Sequence, residues 1–264
     1  MRDERPFTEI VAEAVDVLRQ DAGEYGYIAL LGAIPAAVSV AIAAYIGGTV
    51  ALALIGPLIV VFSVVTLAAC VSAISVGASH LQPDSLRAYM TALGRLPAVL
   101  LPWVPLAVVL GTATAAFVTF RAELHMVPGI FVIVAFAALS VPYVMPRALH
   151  LPALFAEDLS WSQAGQASAA LVREQSRRVA LALTLAALPA ELLFGFALLI
   201  GFDAAAGALV VLFFVGAMPV AAALLSLIFF DAESALEYDE APPQHAGVHE
   251  AALRSIRTYS SYRR

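Results

Sequence analysis

The chain has no lysine and a single cysteine, Cys70. One cysteine excludes an intramolecular disulfide, a cysteine-based zinc site and a CxxC redox pair. Cys70 lies between Ala69 and Val71 in an apolar run and reads as a small packing residue. Charge is scarce as well. Charged residues make up 13% of the chain and hydrophobic ones 62%, against about 25% and about 45–50% in soluble domains. That balance excludes an ordinary cytosolic enzyme, a disordered chain and a nucleic-acid-binding domain. All 14 basic residues are arginine and the net charge is −6, with no tract basic enough to hold nucleic acid. The HExxH zinc motif, the Walker A loop and the GxSxG elbow are all missing. No secretory signal opens the chain, because Arg2 to Glu24 is polar and acidic where a signal would turn apolar.

What is present is long apolar sequence. A spanning helix needs about 20 mostly apolar residues, and six stretches qualify. They run over about Tyr25–Gly47, Val50–Ala78, Pro97–Phe120, Val127–Met145, Ala180–Ile200 and Ala205–Phe230. Short connections alternate with long polar ones. Gly47-Gly48-Thr49, Arg121–Met126 and Gly201–Ala204 are short, whereas Ser79–Leu96 and Glu157–Val179 are long. Thirteen of the fourteen arginines fall on the side of the tails and the long connections, leaving Arg121 alone on the other. The positive-inside rule then puts both termini in the cytoplasm of a prokaryotic cell membrane. The expected organisation is an amphipathic N-terminal segment over 1–24, a transmembrane domain over 25–231 and a cytoplasmic tail over 232–264.

The polar stretches carry a helical signal. Phe7, Ile10, Val11, Ala14, Val15 and Leu18 share one face of a helix. Pro83-Asp84-Ser85 predicts a helix start, followed by Leu86, Tyr89, Met90 and Leu93 at helical spacing and a stop at Gly94. Ser160 and Gln163 have the spacing of a capping box, with Trp161, Ala164, Leu171 and Val172 as the apolar stripe. Each predicted helix leads into an apolar stretch, which is the pattern of amphipathic helices at a membrane surface.

This unit of amphipathic helix, span, short turn and long span occurs three times, starting near Phe7, Ser85 and Ser160. The odd-numbered spans share a local pattern: Leu31-Gly32-Ala33-Ile34-Pro35, Leu101-Pro102-Trp103-Val104-Pro105 and Leu185-Ala186-Ala187-Leu188-Pro189. Pro57, Pro142 and Pro219 interrupt the even ones. Proline removes a backbone bond and kinks a helix, and neighbouring helices can satisfy the freed carbonyl. The predicted fold is an all-α integral membrane protein of six transmembrane helices in three parallel repeats, each an interfacial amphipathic helix plus a transmembrane hairpin.

Three passages carry a family likeness. They are the amphipathic lead-in Phe7–Gln20 with the Leu31–Pro35 run, the Leu154-Phe155 to Arg178 stretch, and Ile228-Phe229-Phe230-Asp231 at the end of the last span. On them the chain resembles the polytopic membrane domain associated with bacterial glycerophosphodiester phosphodiesterases and its stand-alone relatives of unknown function. The resemblance implies a helical membrane domain. It does not bring the enzymes' activity with it, because their separate barrel domain and its His-Arg pair have no counterpart here.

Few residues are candidates for chemistry. Glu191 lies midway along the fifth span, where an ionisable group is costly and marks a functional site or polar glue between helices. Arg173, Arg177 and Arg178 precede that span and are candidate contacts for anionic lipid head groups. Arg147 and His150, with Glu157 and Asp158, read either as a solvated charge set at a kinked cytoplasmic end or as a head-group-binding mouth. Ala69, Ala73 and Gly77 form a small-residue stripe of the kind that packs helices. His245 and His249 are four residues apart, but Gly247 and the Pro242-Pro243 pair argue for a loop rather than a metal site. No cofactor, metal or catalytic set is expected. The expected function is that of a non-enzymatic membrane scaffold, or of a subunit associated with lipid, with a protein partner or with further copies of itself. The alternative is a small transporter or channel with Glu191 in the pathway.

Overall fold

The structure is a computed structural model that describes residues 5–46, 48–78, 83–109, 112, 141–200 and 202–240. The described residues are overwhelmingly helical, with no strand among them. Helix α1 spans Phe7–Gln20, and Asp21 separates it from α2, Ala22–Ile46. Helix α3 spans Gly48–Ala78, α4 Ser85–Gly94 and α5 Leu96–Leu100. A tight 3-10 turn at Leu101–Trp103 carries α5 onward to residue 109. Helix α6 spans His150–Ala156, α7 Trp161–Ile200 and α8 Phe202–Glu240.

Among the described residues three helices are long and apolar enough to cross a membrane, over Ala22–Ile42, Pro57–Ala78 and Val211–Ser234. Ser85–Gly94 and Leu96–Val109 make a fourth candidate if taken together, though the pair is bent by 81°. Helix α3 has 31 residues, so it is about 46 Å long and exceeds a hydrocarbon core of about 30 Å. Of the third predicted span only the part up to 109 and residue 112 are described, and the fourth lies outside the described residues except for 141–145. The fifth is helical to Ile200 within α7.

Helices α3 and α8 form the centre. Every residue from Ala68 to Ile74 and from Ala221 to Phe229 is buried. Helix α3 packs against α2, α4, α5, α6 and α8, and α8 also meets α1, α2 and α7. All-round burial explains why these two stretches have no polar face. In the small-residue stripe, Ala69 and Ala73 are fully buried, whereas a Cβ at Gly77 would meet nothing within 4 Å. Cys70 is buried among these residues.

The chain breaks after each polar helix, and the three breaks resemble one another. Asp21 has φ −123° and ψ 39°, Arg95 φ −107° and ψ 20°, and Gln175, inside α7, φ −105° and ψ 21°. All three leave the helical region by the same route, at spacings of about 75–80 residues, which is long for a repeat. Helix starts follow the sequence signals. Asp84 accepts a bond from Arg87 N–H at 3.0 Å as N-cap of α4. Gln163 Oε1 accepts from Ser160 N–H at 3.1 Å, the returning half of a capping box. Helix α8 runs nine residues past the expected domain end at Asp231, to Glu240. Ala232, Glu233, Ala235, Leu236 and Glu237 are good helix formers, and Ala232 is packed. The rest of the tail, with His245 and His249, lies outside the described residues.

Candidate functional site

The polar side chains gather at the helix breaks, where backbone groups lack helical partners. At the first, Glu24 Oε2 accepts from Ser85 N–H at 3.0 Å and ties the start of α2 to the start of α4. At the second, Arg95 donates through Nη1 to Leu154 O at 2.9 Å and pairs through Nη2 with Asp158. Leu154 belongs to the last turn of α6, where carbonyls run out of helical donors, and a cation at a helix C-terminus is also favoured by the dipole. Asp158 adopts φ 54° just beyond α6, a left-handed conformation that Asp tolerates better than most residues.

The third break holds the densest knot. Arg178 Nη1 donates to Asp231 Oδ2 at 2.9 Å and to Gln175 Oε1 at 3.0 Å, and Nη2 donates to Arg5 O at 2.5 Å. One guanidinium thus joins the segment before α1, the break in α7 and the end of the apolar part of α8. Arg5 in turn pairs with Glu13 and lies 3.5 Å from Glu9. Burial works against the Arg5 charge, but the bond to Glu13 and the nearby acids outweigh it and raise its pKa. Arg178 is only 9% exposed, whereas Arg173 and Arg177 are exposed. Of the three arginines read together from the sequence, two face outward and Arg178 holds helices together.

Proline accounts for a second polar cluster. Pro102 has no N–H, so the carbonyl of Ala98 loses its helical partner. His150 Nε2 lies 3.3 Å from that oxygen and donates to it. The adjacent turn, Met145–Arg147, is pinned by Ser168. Its Oγ accepts from Leu149 N–H at 3.1 Å and donates to Pro146 O at 2.8 Å. Arg147 lies over the Tyr143 ring, 3.8 Å from its centre. His150 is 1% exposed, so it does not belong to a solvated charge set. Its Nδ1 is buried without a partner among the described residues.

Burial lowers the His150 pKa below its ordinary 6.5, Arg147 adds to this, and the bond to Ala98 opposes it. The unfolded chain therefore takes up a proton before the folded one does. Stability is full above pH 6.5 and falls below it, by up to about 1.4 kcal/mol per pH unit. Thermal melting of the detergent-solubilised protein between about pH 5 and 8 checks this, since His is the group that titrates there. The wild type should lose melting temperature below pH 6.5, and His150→Gln should lose less. Parallel curves would remove His150 from the account.

Glu191 is in helix α7, and its side chain lies outside the described residues. Among the described residues no three His, Cys, Asp or Glu side chains come together as metal ligands. The role of Asp231 was not legible as a pairing. A signal existed, because Arg178 and Asp231 bound the apolar parts of two consecutive helices that pack against each other. Ser168 gave no signal beyond being a hydroxyl in an amphipathic helix. No protein-family model matches the chain, and neither a curated protein nor a solved structure matches it.

Proposed function

We propose that the chain is a multi-pass membrane scaffold whose work is to hold lipid or a partner assembly at one face of the bilayer. In this reading six spans form three parallel repeats, with both termini and the three amphipathic helices on the cytoplasmic side of a prokaryotic cell membrane. The chain would then share its fold with the membrane domains associated with glycerophosphodiester phosphodiesterases, without their chemistry. The observation that carries the reading is the threefold recurrence of one backbone break. Asp21, Arg95 and Gln175 each close a polar helix and open an apolar one, with φ between −123° and −105°. Their polar pins tie a side chain of one segment to the backbone or a side chain of another, as a rigid frame requires.

Of Arg173, Arg177 and Arg178, the first two are open to an anionic head group. Basic residues near the cytoplasmic surface contribute about 1 kcal/mol each with anionic lipid. Arg173→Gln with Arg177→Gln should therefore reduce retention of phosphatidylglycerol in native mass spectra by roughly tenfold or more. Arg178 is left intact so that the fold is preserved. Unchanged lipid retention would count against the head-group role. The same spectra show whether a protein partner or a second copy travels with the chain.

A further inference from the structure

The three amphipathic helices do not present their apolar faces in the same way. Helix α1 turns Ile10 and Ala14 into the protein against α8. The first half of α7 likewise buries Ala164, Leu171 and Val172, leaves Ser162, Gln163, Gln166, Arg173 and Arg177 outside, and exposes one residue of its predicted stripe, Trp161, at its start. Helix α4 differs. It packs on α2 and α3 through small residues, Ser85, Ala88 and Ala92. Tyr89 packs at the edge of the core, but the helix's other large apolar residues point away from the protein, with Leu86 59%, Met90 60% and Leu93 40% exposed. Arg87 and Thr91 are exposed on a third side, about a quarter to a third of a turn round from the apolar stripe.

A helix with one side on protein, one apolar and open, and one polar and open suits a single environment. We propose that α4 lies in the plane of the membrane interface, with Leu86, Met90 and Leu93 in the acyl-chain boundary and Arg87 and Thr91 toward water and head groups. The proposal rests on the membrane reading above. Two further observations fix the occupant as lipid. The 81° bend at Arg95 sets α4 nearly perpendicular to Leu96–Val109, which is apolar. If that segment runs along the bilayer normal, α4 runs along the surface. The Glu24 carboxylate, at the polar start of the Ala22–Ile42 span, caps Ser85. This holds the N-terminus of α4 at the level where that span begins. Within Ser85–Gly94 the one charged residue is Arg87, which suits an anionic leaflet. Interfacial helices bury their apolar side about 5–10 Å into the head-group boundary.

The test uses the full chain in lipid nanodiscs with an environment-sensitive thiol fluorophore. Cys70 is buried, and wild-type protein is the labelling blank. Met90→Cys reports the apolar side of α4, Thr91→Cys its polar side, and Ile34→Cys the exposed surface of α2 within its span. Nitroxides on shallow acyl positions should quench the Met90 site several-fold more than the Thr91 site, and aqueous iodide should show the reverse order. Iodide quenching at Met90 equal to that at Thr91 would place the stripe in water and overturn the proposal. A Met90 site reached by neither quencher would mean that protein covers it, which overturns it equally. The Ile34 site separates the two levels of argument. Lipid quenching at Ile34 without quenching at Met90 defeats the α4 proposal alone, and no lipid quenching at Ile34 defeats the membrane reading itself.

Discussion

Gly32→Ala is expected to lower stability by about 1–3 kcal/mol, the cost of overpacking a filled core, and Gly32→Leu to prevent accumulation of folded protein. A Cβ at position 32 would stand 1.8 Å from Thr66 Oγ1 and 3.3 Å from Phe214 Cδ1. Three helices, α2, α3 and α8, therefore close on this one point. Thr66 cannot easily give way, since its hydroxyl donates to Phe62 O at 2.7 Å and the residue is fully buried. With the three helices in a membrane, as proposed, there is no solvent between them to expel, so close packing of small residues carries the association. Gly26 is the control, because a Cβ there meets nothing within 4 Å. Gly26→Ala should be neutral or stabilising, by up to about 1 kcal/mol from helix propensity. Thr66→Ala removes the nearest clashing atom and should restore much of the loss caused by Gly32→Ala. Melting and monodispersity in detergent read all four proteins. A Gly32→Ala protein as stable as the wild type would show that the three helices do not meet there.

Arg178→Met should cost about 2–3 kcal/mol, below the 3–5 typical of a fully buried pair, because 23% of the Asp231 side chain remains exposed. The loss has two sources. Asp231 keeps a charge with no cation beside it, and the Arg5 carbonyl and Gln175 amide lose their donor. Lysine should not substitute, since one ammonium on a flexible stem does not reproduce a planar fork reaching three acceptors. Arg178→Met combined with Asp231→Leu should recover part of the loss, because the double change leaves no orphaned charge. Chemical or thermal unfolding of the four proteins of this cycle gives the coupling directly. A single Arg178→Met within about 0.5 kcal/mol of wild type, the range of ordinary surface changes, would make the knot incidental.

Much of the local structure was legible in the chain. The bounds of α1 followed from the spacing of Phe7 to Leu18, and those of α4 from Asp84 and Gly94. Periodicity identifies an apolar face, but not what that face meets. Hence α1 and α4 read alike in sequence, although α1 turns its stripe onto α8 and α4 turns its stripe outward. The same gap explains Arg178, which sits in sequence beside two exposed arginines and is separated from Asp231 by an entire helical hairpin. His150 was read as one of a charged set because its partner, the Ala98 carbonyl, is orphaned by a proline in a different segment. The close approach at Gly32 depends on which helices cross there, and no local pattern encodes a crossing. The domain end at Asp231 was set by a change in hydropathy, yet helix α8 continues because Ala232 still packs and the residues after it favour helix.

The central claim is that the chain crosses the membrane repeatedly with its amphipathic helices and breaks on one side. Single-cysteine accessibility in intact cells tests it most directly, with the buried Cys70 as a silent background. Cysteine would replace Arg87, Arg173 and, in the predicted outer loop, Ala122. A membrane-impermeant maleimide should label the Ala122 site in intact cells and the other two sites only after the membrane is opened. Labelling of the Arg87 or Arg173 site in intact cells, or an Ala122 site reached only from inside, would contradict the arrangement.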